Sequence, residues 1–267
     1  MPVNRQSGKH ILFCNCRGER INSELLKVVD SHLRELKVKT TRISDLCGIA
    51  VTSKEIIADL LKKDSDFLVL GCYRRTMDLI FRQVLDNSGN GFNYSHVNLI
   101  GLSVNEAIEE LDKFCSTSHG INEYTDISED SGWPSWYPVI DYSRCSSCGQ
   151  CADFCLFGVY EKTGDRILVT NPRGCKNNCP ACARICPSTA IIFPKYKSGG
   201  AVGGSDEIDD KEEQQRQAKD IDNILGGDVY EALRKRKEMR KSIIRDEAMK
   251  RAMHERDLAK NLNNKNH

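Results

Sequence analysis

CSSCGQCADFC, residues 145–155, and CKNNCPACARICP, residues 175–187, decide how the middle of this 267-residue chain is organised. The first places Cys145, Cys148, Cys151 and Cys155 in a C-x2-C-x2-C-x3-C run. The second places Cys175, Cys179, Cys182 and Cys186 in a C-x3-C-x2-C-x3-C run, with Pro187 directly after. Three closely spaced thiols wrap the backbone around one centre, and the fourth is held further along. Of thirteen cysteines, eight fall in this window and none in residues 187–267. MPVNRQSGKH followed by only Ile11, Leu12 and Phe13 does not read as a signal peptide, so the expected compartment is the cytoplasm, where thiols stay reduced and clustered cysteines are read first as metal ligands.

In paired runs of this kind each cuboidal cluster takes three thiolates from one run and its fourth from the other. The expected assignment is therefore crossed: Cys145, Cys148, Cys151 and Cys186 hold one 4Fe-4S cluster, and Cys175, Cys179, Cys182 and Cys155 hold a second. The alternative is a pair of tetrahedral zinc sites, but those usually use two Cys pairs per metal, not a triplet plus a distant fourth. Between the runs, GVYEKTGDRILVTNP (158–172) has turn residues Thr163, Gly164 and Asp165 flanked by strand formers, which predicts a hairpin.

Residues 139–196 resemble bacterial-type two-cluster ferredoxins, through the two runs, the Cys186-Pro187 ending and the AIIFP that follows it. The resemblance implies a small α+β ferredoxin-like domain that moves electrons. Two departures stand out: Leu156 follows Cys155 where the family usually has proline, and the second run has one extra residue. An altered loop changes which backbone amides reach the sulfurs, so the two clusters are expected to differ in potential.

Outward from this domain, residues 1–120 alternate strand and helix. KHILFC (9–14) is followed by Ile21, Leu25, Val29, Leu33 and Leu36 at helical spacing, Val38–Ile43 is a second strand, and Thr52 with Glu55 forms a capping box. FLVL (67–70), a helix from about Thr76, a strand over Val97–Leu102 and a second capping box at Ser103 and Glu106 complete the pattern. Such alternation predicts an α/β domain with a mostly parallel sheet. Residues 121–138 read as a linker that packs down, 197–227 as a flexible, Gly-rich acidic linker, and 228–267 as a charged helical tail.

FCNC (13–16), DLCG (45–48) and LGCYRRTMDLIFRQV (70–84) make residues 9–102 similar to the amino-terminal domain of the heterodisulfide reductase A subunit. That family carries a flavin domain with a G-x-G-x-x-G turn. Nothing here matches it, since GGAVGG (199–204) lies in the polar stretch, so no flavin is expected in this chain. Residues past the ends of parallel strands converge on one edge, where open α/β folds bind ligands. Cys14, Cys16 and Cys72 belong to that edge and Cys47 is within reach, giving the four ligands of a third cluster. The same four cysteines also read as small buried hydrophobes or as holding a redox-active thiol pair. Cys115, alone on a helix, reads as structural.

Lys and Arg number 39 against 38 Asp and Glu, so the net charge of +1 gives no global attraction to nucleic acid or membrane. No apolar run reaches the roughly 20 residues a membrane helix needs. Arg74 and Arg75 read as solvated. Arg234–Lys241 packs six basic residues into eight positions; it reads as a solvated helix face or as a docking arm for a redox partner. The sequence thus describes an electron-transfer component rather than a catalyst, a relay to a flavoprotein, hydrogenase or reductase subunit. The alternatives are an assembly or redox-sensing module with structural clusters, or a thiol oxidoreductase using the first domain.

Overall fold

A computed structural model describes residues 8–62, 65–85, 92–116, 121–128 and 132–225, with Glu231, Arg234, Lys235 and Glu238. Most of the expected tail, 228–267, lies outside the described residues.

The first unit is a five-stranded, wholly parallel sheet of β1 (Gly8–Cys14), β2 (Lys39–Ile43), β3 (Ser65–Gly71), β4 (Ser95–Asn98) and β5 (Glu123–Ile127), in the order β4-β3-β1-β2-β5. Continuous apolar strands suit a sheet covered on both faces, and Ile11, Phe13, Phe67 and Leu70 are fully buried. Helices α1 (Ser23–Glu35), α2 (Leu46–Thr52), α3 (Lys54–Leu61), α4 (Arg74–Val84) and α5 (Val104–Cys115) make the crossovers. At α5 the expected capping box forms between Ser103 and Glu106. The one expected at Thr52 does not, because Thr52 ends α2 and turns its hydroxyl to the Gly48 carbonyl, 3.1 Å away. Cys47 accordingly sits in a helix rather than a loop.

Strand β5 occupies residues expected to be linker. Its sequence EYTDI is polar because it is an edge strand exposed along most of its length. It is joined to β2 by the ladder, by Arg42 on both Asp126 oxygens (2.8 and 2.9 Å) and by Lys39 on Glu123 (2.6 Å). The chain runs from β1 to β2 on one side and returns to β3 on the other, so the switch point lies between β1 and β3. Crevices open there at the carboxyl ends of strands.

The second unit has β6 (Val139–Ile140) paired antiparallel with β9 (Ile191–Ile192), and a hairpin of β7 (Tyr160–Thr163) and β8 (Arg166–Val169) turning at Gly164 with φ +56°. Short helices α6 (Gln150–Phe154) and α7 (Ala181–Arg184) carry the third cysteine of each run. In both halves the residue before the second cysteine, Ser147 or Asn178, has positive φ (55° and 59°). The extra residue of the second run is thus absorbed upstream of a shared turn.

The two units share buried surface. Val139 and Ile192 belong to the core of the sheet unit, and Tyr137 is fully buried with its hydroxyl on the Cys47 carbonyl at 2.8 Å. Arg75, expected to be solvated, is largely covered instead. It bridges to Asp141 at 3.1 Å and donates to the carbonyls of Ala201 and Thr189. Residues 197–209, expected to be flexible, cross the interface as an ordered strap. Ala201, Val202, Gly203 and Gly204 are buried, the Val202 carbonyl accepts from the Phe193 amide, and Asp206 accepts from the amides of Arg74 and Arg75 at the start of α4. Composition misled here because the strap buries backbone and small side chains, not bulky apolar ones. Helix α8 (Asp210–Leu225) follows, with Gln217 bonded to Thr189 at 3.1 Å.

Candidate metal centres

The eight clustered cysteines line two cavities in the second unit. One is lined by Cys145, Cys148, Cys151 and Cys186 together with Ile140, Ile167 and Ile191. The other is lined by Cys155, Cys175, Cys179 and Cys182 together with Phe154, Phe157 and Tyr160. Each cavity thus has three cysteines from one run and the last cysteine of the other. Helix α6 ends at Phe154, so Cys155 leaves its own run. Cys186, two residues past α7, does the same in return.

All eight are free thiols. Burial pushes Cys151 and Cys175 up to about 12 and raises Cys182 and Cys186 as well. Crowded, buried thiols resist ionising unless a cationic group compensates them, and that is the donor chemistry of a thiolate-bound metal group. Among the described residues no three His, Cys, Asp or Glu side chains converge closely enough for one metal ion. The sulfurs stand around open volume instead.

Donors to sulfur differ between the cavities. Tyr160 Oη lies 3.0 Å from Cys182 Sγ, and the buried Trp136 indole N–H, which makes no full hydrogen bond, faces Cys175. In the first cavity the Ala190 amide donates to Cys186 Sγ at 3.4 Å.

A third group of sulfurs lies in the sheet unit. Cys14 ends β1, Cys16 follows it, Cys72 follows β3 and Cys47 sits in α2, so the switch point brings all four into one chamber. Three are buried and Cys16 is half-buried. Cys14 donates to Cys16, whose thiol falls to about 7; the Gly18 amide at 3.1 Å and the Lys195 ammonium also lower it, against burial. The bond to Cys16 and burial raise Cys14, burial raises Cys47, and burial pushes Cys72 up to about 12. Gly71 lets the Met77 methyl pack beside them: a Cβ there would collide with that methyl and displace it. Cys115, at the end of α5, is not among these four.

Sequence reading missed Lys195 and Arg20, which reach this chamber from opposite units. Lys195 pairs with Asp45 at 2.6 Å; Arg20 stacks on Tyr73 and donates to the Gly203 carbonyl at 3.0 Å. The only sequence signal was their closeness to cysteine motifs.

An uncharacterized ferredoxin of Methanocaldococcus jannaschii is 47% identical over 64 residues, 24% of this chain and 44% of the relative. A second uncharacterized ferredoxin of that organism is 37% identical over 55 residues, 87% of its length, and a ferredoxin of Methanothermococcus thermolithotrophicus is 35% identical over 55 residues, 90% of its length. The chain belongs to the ferredoxin family. The shared stretch is 20–24% of this ferredoxin-family chain, and it spans less than half of the first relative. No family model matches the chain. No solved structure matches it. Among the described residues of this family member, no helix is long and apolar enough to cross a membrane.

Proposed function

We propose that this chain is an iron-sulfur electron carrier holding two 4Fe-4S clusters in the second unit and a third at Cys14, Cys16, Cys47 and Cys72. The observation that carries the reading is the pair of cavities, each lined by four sulfurs in the crossed combination. The clusters would supply one-electron redox chemistry. The chain's own residues do the rest: buried Ile140, Ile167 and Ile191 wall the first cavity, buried Phe154 and Tyr160 the second, and the Tyr160 hydroxyl and the Ala190 amide orient individual thiolates and tune their charge. The donors differ in kind, a tyrosine hydroxyl on Cys182 in one cavity and backbone amides on Cys151 and Cys186 in the other, so the two clusters would differ in potential.

The resemblance of residues 9–102 to the heterodisulfide reductase A subunit supports a relay within a reductase complex of that kind or another flavin or hydrogenase system, with the flavin on a partner. Thirteen free thiols fit the reducing cytoplasm. The charged carboxyl-terminal tail is the proposed docking arm.

The test is composition of the full chain purified anaerobically. About four iron and four sulfide per cluster are expected, hence about twelve of each with the third cluster and about eight without it. Zinc without sulfide would refute the reading. One observation favours a second reading for the first unit, a reactive thiol pair: the bond from Cys14 to Cys16 and the lowered Cys16 thiol. That pair would form a disulfide on mild oxidation of protein that binds no third cluster.

A further inference from the structure

We infer that Lys195 and Asp45 together set the reduction potential of the centre held by the four amino-terminal cysteines, so that the second unit controls the redox behaviour of the first. The inference rests on the third cluster proposed above. Lys195 belongs to the segment that follows β9, yet its ammonium crosses the interface to Asp45, with the two side chains only 10% and 7% exposed. Asp45 stands at the start of α2, two residues before Cys47. The Lys195 stem and Cys16 flank the same glycine: a Cβ at Gly18 would lie 3.9 Å from Lys195 Cγ and 3.1 Å from Cys16 Sγ. Both charges are within electrostatic reach of Cys16 and Cys47.

Stability does not account for the pair. Removing two charges from water offsets most of their attraction, and well-packed apolar residues often serve as well or better. Asp45 Oδ2 accepts from Lys195 and from Ser135 Oγ at 2.8 Å, but Asp45 Oδ1 is buried without a hydrogen-bond partner, a further cost. What the pair does supply is fixed charge beside four sulfurs. A four-thiolate cluster is anionic and gains one negative charge on one-electron reduction. An ammonium beside it therefore favours the reduced form and a carboxylate disfavours it, in an interior where salt screens little. No bond is made or broken, and Lys195 keeps its proton throughout. Arg20 reinforces the cationic side near Cys72.

The experiment uses the full chain, reconstituted anaerobically, as wild type, Lys195→Met, Asp45→Asn and the double variant. Each is titrated with dithionite as the electron donor while paramagnetic signals are recorded, and iron is counted. Expected are about twelve iron in each. In Lys195→Met the reduction equilibrium of one centre should fall roughly tenfold or more, tenfold being the scale of one unit charge about 12 Å away at an effective dielectric of about 20, which is about 59 mV for a one-electron couple. Asp45→Asn should move the same centre upward, the double variant should return toward wild type, and the other two centres should stay in place. A merely structural pair would destabilise both single variants without opposite shifts. If Lys195→Met does not fold, Lys195→Arg should hold the wild-type potential and Asp45→Asn should still raise it. Three clusters whose potentials are unmoved, or shift in the same direction, overturn the inference. Wild type with about eight iron overturns the third cluster itself and is recognised by the count alone.

Discussion

Arg75→Met tests whether the two units are one cooperative structure. The guanidinium is 11% exposed, bridges to Asp141 (8% exposed) at 3.1 Å, and donates to the Ala201 and Thr189 carbonyls at 3.2 and 3.3 Å. Methionine keeps the apolar stem but leaves a buried carboxylate and two carbonyls without this donor. Breaking a buried pair from one side costs about 3–5 kcal/mol. At roughly 2–4 °C per kcal/mol for a domain of 150–250 residues, melting should fall by about 6–20 °C. Asp141 retains the Ser143 amide and hydroxyl on its other oxygen, so Asp141→Asn should cost less. The double variant should then show coupling of about 0.5–3 kcal/mol. The assay is an anaerobic melt at fixed scan rate, following far-ultraviolet ellipticity and cluster absorbance together, and both should shift in step. A loss within the ~0.5 kcal/mol typical of surface substitutions, or a shift in only one signal, would refute a shared interface.

Cys186→Ala should remove about four iron from the cavity of Cys145, Cys148 and Cys151 and spare the cluster beside it in sequence, as spectroscopy of the remaining iron would show. A chain ending after Leu225 should keep its iron and melting point. One ending after Tyr196 loses the Asp206 cap of α4 and the Gly203 acceptor of Arg20, and should melt lower and shed iron from the four-cysteine chamber first; iron retention in that shorter chain would show that the strap is dispensable. Gly204→Ala forces a side chain onto φ +86° and into Thr76, and should cost on the order of 1–3 kcal/mol by denaturant titration of the apo chain. His96, lowered chiefly by burial, is held neutral in the fold, so the unfolded chain binds protons more readily. Its contribution is present above the ordinary histidine value of about 6.5 and is lost as pH falls below it toward the folded value; melts of wild type and His96→Asn should converge on acidification.

That the eight clustered cysteines gather around two cavities was legible in their short spacings, and the mixed lining of each cavity follows from where α6 and α7 stop. The strand-helix alternation was legible for the same local reason. What topology decides was not. Strand β5 is a polar pentapeptide that counts as a strand only because β2 lies beside it, and Lys195 acquires meaning only when a segment 150 positions from Asp45 folds against it. The strap was read as disordered because its order comes from backbone carbonyls that accept from Arg20, Arg75 and Thr76, side chains more than 120 positions away.

The order in which the chamber is built follows from the chain itself. A polypeptide made amino terminus first has the strands and helices that carry Cys14, Cys16, Cys47 and Cys72 before Lys195 and the strap from Gly199 to Asp206 emerge. Until then Asp45 lacks its Lys195 partner and Arg20 its Gly203 acceptor, so the charges beside the four thiols are completed last.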